Sequence, residues 1–450
     1  MTRLTKSFFF IFLFFHSTAF SIECPGILLY QKDGAAPGDS LGWSVSSAGD
    51  VNGDGKADFI IGAFLSDPNG LTDAGSAYVY SGADGELLYQ KNGSAAGNHL
   101  GWSVSLAGDV NGDGKADFII GSPNAKPGGV TTDGSAFLYS GATGVLLYRR
   151  DGSDSSQHFG HSVSSAGDVN GDGKADFIIG APQASSGGID STGSAFVYSG
   201  ATGELLYQKN GSATNDYFGW SVSSAGDVDG DGKADFIIGA HGTDAGGLED
   251  AGSVFVYSGA NGELLYQKNG SSALNYFGWS VSSAGDVDGD GKTDFLVGAI
   301  GADPGGLPLA GSAFLYSGAS GTLLYQKNGS TAKEYFGYSV ASAGDVNGDR
   351  KPDFIIGAPF TCPTGLLNAG SVFLYSGATG ELLCAKNGSA PFYLLGYSVS
   401  SAGDVNGDGK AELIVGAPEA SSPGRYSTGS VFVYSCRSIP PNPKKPRNRK

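Results

Sequence analysis

An acidic loop recurs seven times along this chain at a constant interval of 59 residues. The first copy, 50–58, has the sequence Asp-Val-Asn-Gly-Asp-Gly-Lys-Ala-Asp, and the last copy begins at Asp404. Because the interval never changes, each repeat is expected to be one structural unit that packs on the next. A repeat of this length with strand-like content is typical of propellers and solenoids.

Each repeat contains four candidate strands, separated by turns rich in Gly, Asp and Asn. In the first repeat they lie at Trp43–Ala48, Asp58–Ala63, Ala77–Tyr80 and Glu86–Gln90. Consecutive apolar residues in the second strand are expected for a sheet covered on both faces. The 76 glycines also favour short strands and tight turns. The sequence therefore predicts an all-β fold, a seven-bladed β-propeller of four-stranded blades.

The two ends of the repeat array indicate how the ring closes. The last repeat stops at Cys436 without a fourth strand, and a spare candidate strand at 27–30 precedes the first repeat. The N-terminal strand is therefore predicted to complete the last blade. The span from Cys24 through Cys436 is seven repeat lengths, so we expect a disulfide between these two cysteines. A second disulfide, Cys362–Cys384, is also expected, with two buried free thiols as the alternative.

The segments outside the repeats predict export. Arg3 and Lys6 precede a short apolar run and small residues, so we expect a signal peptide over 1–21 and a secreted or extracellular protein. The propeller is expected over 22–438, and a disordered basic tail over 439–450. No later stretch approaches the roughly 20 apolar residues of a membrane helix, so no membrane span is expected.

The charge of the chain excludes one class of partner. The formal net charge is −17, and about half of the Asp and Glu residues lie in the acidic loops. A chain this acidic is a poor partner for nucleic acid. Divalent cations in the loops would remove most of the self-repulsion between these clustered carboxylates.

The acidic loops have the pattern of a calcium site. Side-chain oxygens occupy positions 1, 3, 5 and 9, position 7 offers a backbone carbonyl, and glycine at position 6 permits the sharp turn. The pattern begins like an EF-hand loop but closes with an acid at position 9 and continues into a strand. The predicted ligand positions are Asp50, Asn52, Asp54, Lys56, Asp58; Asp109, Asn111, Asp113, Lys115, Asp117; Asp168, Asn170, Asp172, Lys174, Asp176; Asp227, Asp229, Asp231, Lys233, Asp235; Asp286, Asp288, Asp290, Lys292, Asp294; Asp345, Asn347, Asp349, Lys351, Asp353; and Asp404, Asn406, Asp408, Lys410, Glu412. Simple turn chemistry is the alternative for one loop, but seven copies in register favour up to seven Ca²⁺ ions.

The loops differ enough to be ranked. The fourth and fifth have Asp229 and Asp288 where the others have Asn, so they should bind calcium most tightly. In the sixth loop, 345–353, Arg350 replaces the glycine and Pro352 follows, so this site should be the weakest. The seventh closes with Glu412, whose extra methylene the flexible coordination of calcium can accommodate.

The repeat resembles the FG-GAP module of integrin alpha-chain propellers. The Phe-Gly half of the signature occurs at Phe159, Phe218, Phe277 and Phe336, with Leu41, Leu100 and Leu395 as departures. The Gly-Ala-Pro half is intact at Gly180, Gly357 and Gly416 and altered at Gly62, Gly121, Gly239 and Gly298. The resemblance implies a seven-bladed propeller with calcium loops on its lower face and ligands or partner subunits on its upper face. The sequence has no inserted domain and no leg domains, so pairing with a beta subunit is not implied.

The face opposite the calcium loops is the expected binding surface. The loops between second and third strands vary strongly between repeats, which is typical of recognition surfaces. Two sets of equivalent positions lie beside the Phe-Gly pair. The first could stack on a ligand or cap blade packing; it contains Ser40, His99, His158, Tyr217, Tyr276, Tyr335 and Leu394. The second is predicted to pack between blades; it contains Trp43, Trp102, His161, Trp220, Trp279, Tyr338 and Tyr397.

The sequence favours a binder over an enzyme. None of the histidines after the signal peptide lies in a metal or catalytic-triad motif, and the acidic residues that could pair as acid and base are committed to the loops. We expect a monomeric protein-binding or cell-adhesion module that binds an extracellular protein or glycan. The alternatives are a lectin-like propeller and a polysaccharide-acting enzyme. Potential N-glycan acceptors in Asn-Gly-Ser triplets are Asn92, Asn210, Asn269, Asn328 and Asn387.

Overall fold

The computed structural model describes residues 26–129, 133–153, 157–421 and 427–436. The predicted signal peptide, Cys24 and the predicted tail lie outside the described residues. Within the described part of the chain, no helix combines the length and the apolar character needed to cross a membrane.

Seven antiparallel sheets of four strands each make up the fold, and every blade has the same strand order from the axis outward. The first strands contact one another around the ring and line its axis. They are β2 (Ser44–Gly49), β6 (Ser103–Gly108), β10 (Ser162–Gly167), β14 (Ser221–Gly226), β18 (Phe277–Gly285), β22 (Ser339–Gly344) and β26 (Ser398–Gly403). The second strands are β3 (Asp58–Ala63), β7 (Asp117–Ser122), β11 (Asp176–Ala181), β15 (Asp235–Ala240), β19 (Asp294–Ala299), β23 (Asp353–Ala358) and β27 (Glu412–Ala417).

The outer half of each blade contains the third and fourth strands. The third strands are β4 (Ser76–Tyr80), β8 (Ser135–Tyr139), β12 (Ser194–Tyr198), β16 (Ser253–Tyr257), β20 (Ser312–Tyr316), β24 (Ser371–Tyr375) and β28 (Ser430–Ser435). The fourth are β5 (Leu87–Asn92), β9 (Leu146–Asp151), β13 (Leu205–Asn210), β17 (Leu264–Asn269), β21 (Leu323–Asn328), β25 (Leu382–Asn387) and β1 (Ile27–Asp33). The helical content of the described residues is four single 3₁₀ turns, at Pro68–Gly70, Ala245–Gly247, Pro304–Gly306 and Pro363–Gly365. The predicted all-β, seven-bladed propeller is confirmed.

The N-terminal strand closes the ring, as the sequence predicts. β1 pairs antiparallel with β28, from Ile27 opposite Ser435 to Asp33 opposite Ser430, with one irregularity after Leu28. The seventh blade therefore combines the first and last strands of the described chain, so that unfolding this blade would open the ring.

The core lies between blades as seven separate apolar layers. In one layer, Ile178 and Val197 of the third blade pack with Phe236 and Ile238 of the fourth. Every residue of each second strand is buried, because both faces of the sheet are covered by neighbouring blades. This explains why the second strands are apolar at consecutive positions rather than alternating.

Both predicted disulfides are wrong. Cys362 and Cys436 are free thiols, whereas Cys384 is in a disulfide. Cys362 is exposed in the upper loop after β23, but Cys384 lies near the start of β25, opposite Leu374, and packs against an apolar layer. The two sulfur atoms are therefore close to opposite ends of the blade. Cys436 is buried in the same layer, next to Gly26, and the remaining cysteine, Cys24, lies outside the described residues.

Candidate metal loops and the opposite face

The seven acidic loops share one face of the ring. Each connects a first strand to a second strand, as in the turn from β2 to β3, and we call this the lower face. The loops from second to third strands leave the other end of the blade, which we call the upper face. The two predicted functional regions therefore lie on opposite faces.

Inside each loop, the side chains at the first three predicted ligand positions accept hydrogen bonds from the backbone. In the first loop, Asp50 accepts from the N–H groups of Gly53 (2.6 Å) and Gly55 (3.0 Å). Asn52 accepts from Asp54 N–H (2.8 Å), and Asp54 from Lys56 N–H (2.9 Å). The same pattern holds in the other six loops. These bonds turn the side-chain oxygens toward the interior of a tight loop.

The acid at position 9 is buried and ties the loop to the blade. Asp235 is 0% exposed and accepts from the N–H groups of Val228 (2.8 Å), Asp229 (3.4 Å) and Gly259 (2.9 Å), the last in the turn between third and fourth strands. Burial raises the pKa of Asp235 to about 6, because the charged carboxylate loses its hydration. The position-9 acid therefore has a structural role besides any role in metal binding.

The other position-9 acids behave in the same way. Burial raises the pKa to about 6 at Asp58, Asp117, Asp176 and Asp294, and to about 7 at Asp353 and Glu412. Glu412 has no turn glycine to accept from, because Cys436 occupies the equivalent position in the last repeat. It accepts instead from Val405 N–H (3.0 Å) and Asn406 Nδ2 (2.5 Å).

The donor set of two loops fits a divalent cation. The carboxylates of Asp227, Asp229 and Asp231 lie within 4.8 Å of one another, and in the fifth loop the same is true of Asp286, Asp288 and Asp294. These are the only such groups of three in the described part of the chain, and they are the loops with Asp at position 3. All of the donors are oxygens, which hard cations prefer. The acidic groups of these loops could hold a metal ion.

The sixth loop has the unfavourable backbone that its sequence predicts. Arg350 has a φ of 70°, in the left-handed region where the equivalent Gly55 has a φ of 85°. A side chain at such a φ costs free energy that glycine does not. Pro352 in addition removes a hydrogen bond between neighbouring loops. The equivalent N–H groups of Ala116 and Ala175 donate to the carbonyls of Asp50 (3.3 Å) and Asp109 (3.2 Å) in the preceding loops, whereas proline has no N–H.

Sequence reasoning missed a set of lysine contacts between neighbouring loops. It assigned position 7 only a backbone carbonyl, but the lysine side chain extends to the preceding loop. Lys115 Nζ donates to Asn52 O (2.5 Å), Lys174 Nζ to Asn111 O (3.1 Å), and Lys292 Nζ to Asp229 O (2.6 Å). The presence of lysine at position 7 in all seven loops was the available signal. At these three junctions, neighbouring acidic loops are therefore linked rather than independent.

A second interblade contact lies at the outer edge of the lower face. Tyr207 Oη donates to Gly259 O (2.8 Å), and Lys209 Nζ to Gly262 O (2.7 Å), so the fourth strand of one blade holds the turn of the next. Tyr30 and Lys32 do the same across the closure of the ring. At the junction of blades six and seven, Cys384 replaces the tyrosine.

The upper face has a closed ring of seven aromatic side chains around the axis, which we call the axial aromatic ring. Each side chain contacts the equivalent side chain of the next blade, with 4.4–5.7 Å between ring centroids. They are Trp43, Trp102, His161, Trp220, Trp279, Tyr338 and Tyr397. Each contact joins adjacent blades, so the prediction that these residues pack between blades is confirmed.

The residues before the Phe-Gly or Leu-Gly pair surround the axial aromatic ring. All seven have a positive φ, between 51° and 57°. Tyr217 contacts His241, which also stacks on Trp220 with 4.4 Å between centroids. Burial lowers the pKa of His241 to about 3, and its Nδ1 has no hydrogen-bond partner among the described residues. Tyr217, one of the residues before the Phe-Gly pair, therefore takes part in packing around the axis.

Comparisons with known proteins agree with this geometry. The chain is 34% identical to integrin alpha-5 of Xenopus laevis over 223 residues, which is 46% of this chain and 20% of that protein. It is 33% identical to integrin alpha-V of Gallus gallus over 241 residues, which is 50% of this chain and 22% of that protein. The chain thus covers about a fifth of the length of these relatives.

The FG-GAP repeat matches this chain seven times. The matched segments are 41–80, 100–139, 159–198, 218–257, 277–316, 336–375 and 395–434. Each segment begins at the Phe-Gly or Leu-Gly pair and ends in the third strand, so that each contains one acidic loop. Together they span more than half of the sequence, and the chain therefore belongs to the FG-GAP repeat family.

Proposed function

We propose that this protein is a secreted, calcium-binding module for protein binding or cell adhesion, with no catalytic activity. The observation that carries the proposal is the contrast between its two faces. The acidic loops of the lower face are almost identical in sequence, whereas the loops of the upper face differ from blade to blade. A surface that only stabilises the ring has no reason to vary, while a recognition surface does.

The relatives support the binding role. This chain is similar in sequence to integrin alpha-5 and integrin alpha-V. In our proposal the propeller is the binding unit, with calcium in the acidic loops as a structural support and a partner on the upper face. Oxygen-rich loops at the ends of first strands would hold the cation and keep the lower ends of the blades in place.

Exposed leucines mark the upper face of blades four to six. Leu248, Leu307 and Leu367 are 39%, 37% and 52% exposed in the loops that follow the second strands. Apolar side chains this exposed cost solubility and are common where partners dock. Comparable leucines on the fourth strands, Leu87, Leu205 and Leu323, are 48%, 48% and 47% exposed at the outer edge of the propeller.

These two sets of leucines provide the test. A surface coated with the mature protein should capture cells in a calcium-dependent manner. The triple variant L248S/L307S/L367S should lose capture, whereas L87S/L205S/L323S, with the same chemistry on the outer edge, should retain it. Equal capture by both variants, or no capture by the wild-type protein, would contradict the proposal.

A further inference from the structure

The upper face contains a cavity at one of its blade junctions. It has a volume of about 460 Å³ and lies between blades five and six. Trp279, Tyr338 and Phe360 form its walls, and Ile300 contributes an apolar surface. Phe360 lies edge-on to Tyr338, with 6.0 Å between ring centroids. The volume falls in the range of small-molecule sites, roughly 300–1,000 Å³.

Three polar side-chain groups line the same cavity: the Lys333 ammonium, the Tyr335 hydroxyl and the Asn368 amide. None of these side-chain groups forms a hydrogen bond or an ion pair with another described residue. Lys333 supplies a positive charge, and Tyr335 and Asn368 can each donate and accept a hydrogen bond. A few convergent polar groups on aromatic walls are typical of a ligand site.

The combination of residues is specific to this junction. Position 333 is lysine only here; the equivalent residues of the other repeats are Gly38, Gly97, Ser156, Asn215, Leu274 and Phe392. Position 360 is Phe only here; its equivalents are Leu65, Asn124, Gln183, Gly242, Gly301 and Glu419. Sevenfold packing does not require either residue. The cavity is therefore a departure from the repeat rather than a consequence of it.

We propose that this cavity binds a carboxylated sugar, such as a uronic acid residue of a polysaccharide. The C–H face of a pyranose ring packs on the electron-rich faces of aromatic side chains. The Lys333 ammonium pairs with the sugar carboxylate, and the Tyr335 and Asn368 groups bind hydroxyls. The proposal is independent of the adhesion role, since it concerns a small-molecule site and not a protein partner.

Titration calorimetry with trigalacturonate tests this assignment. Wild-type protein should bind it saturably, and the methyl ester of the same trisaccharide, which lacks the charge, at least tenfold more weakly. K333Q should weaken binding of trigalacturonate at least tenfold and leave binding of the ester unchanged. Y335F should weaken binding of both ligands severalfold.

The matched control is Y276F, which removes the equivalent hydroxyl from the preceding repeat, outside the cavity lining. It should bind trigalacturonate like the wild type. Lack of saturable binding by the wild type, or equal binding by wild type and K333Q, would overturn the proposal. The proposal would also be overturned if the protein bound an acidic peptide through Lys333 and did not bind the sugar. Cell capture by K333Q should be unchanged, which separates this result from the adhesion test.

Discussion

The lower and upper faces of this propeller are built from the same repeat but follow different rules. On the lower face, the acidic loops keep most of their residues and the same pattern of backbone hydrogen bonds in every blade, and at three junctions a lysine connects a loop to the one before it. On the upper face, the backbone φ is repeated at seven positions while the side chains change from serine to histidine, tyrosine and leucine. The comparison indicates that the lower face stabilises the ring, whereas the upper face contains the side chains that differ from blade to blade.

The largest expected effect separates structure from metal binding on the lower face. Asp235→Ala leaves the buried N–H groups of Val228 and Gly259 without an acceptor and should lower the free energy of unfolding by about 2–5 kcal/mol, even in a chelator. Urea unfolding in EDTA measures this. Asp231→Ala, at an exposed position of the same loop, is the control and should change metal-free stability by less than about 0.5 kcal/mol. Equal effects of the two variants would mean that the buried acid has no separate structural role.

An intermediate effect is expected on the upper face, at acidic pH. The folded-state pKa of His241 is about 3, below its ordinary value of 6.5. Between these two pH values, His241 is protonated in the unfolded chain but stays neutral in the folded chain. The corresponding stability is complete above pH 6.5 and is lost as the pH falls, by about 2 kcal/mol at pH 5. His241→Phe, which introduces the residue found at Phe64, should remove this loss. Parallel stability–pH curves for variant and wild type between pH 7.5 and 5 would refute the prediction.

The smallest effect concerns the outer contacts of the lower face. Tyr207→Phe removes one hydrogen bond to the next blade, at Gly259 O, and should lower the free energy of unfolding by about 1 kcal/mol. Tyr198→Phe is the control, because the hydroxyl of Tyr198 has no hydrogen bond among the described residues. If both variants unfold at the same urea concentration, the tyrosine contact does not contribute to holding the blades together.

The fold was largely predictable because the same strand pattern occurs seven times, so that an ambiguous strand in one repeat could be assigned from the others. The predicted second strand, Asp58–Ala63, matches β3, and the predicted first strand, Trp43–Ala48, is shifted by one residue from β2. Ring closure by β1 followed from counting strands. The disulfides did not follow from counting, because position in the repeat does not give the side-chain direction: Cys436 points into an apolar layer and Cys362 lies at the exposed upper end of its blade.

The candidate site was predictable in composition but not in its connections. The spacing of Asp227, Asp229 and Asp231 indicated a cluster of carboxylates, and these residues do converge. The spacing could not reveal that Lys292 extends from the fifth loop to the fourth, because that contact depends on the distance between blades. The cavity at Lys333 also needed coordinates, since its walls come from two blades.

Calcium titration of the metal-free protein tests the central claim most directly. Isothermal calorimetry of the wild type should show several bound Ca²⁺ ions, up to seven. D229N/D288N should lose the tightest sites, whereas Arg350→Gly should strengthen the weakest one. Absence of calcium binding at millimolar concentrations, or an isotherm unchanged by D229N/D288N, would contradict the account of the lower face as a ring of metal loops.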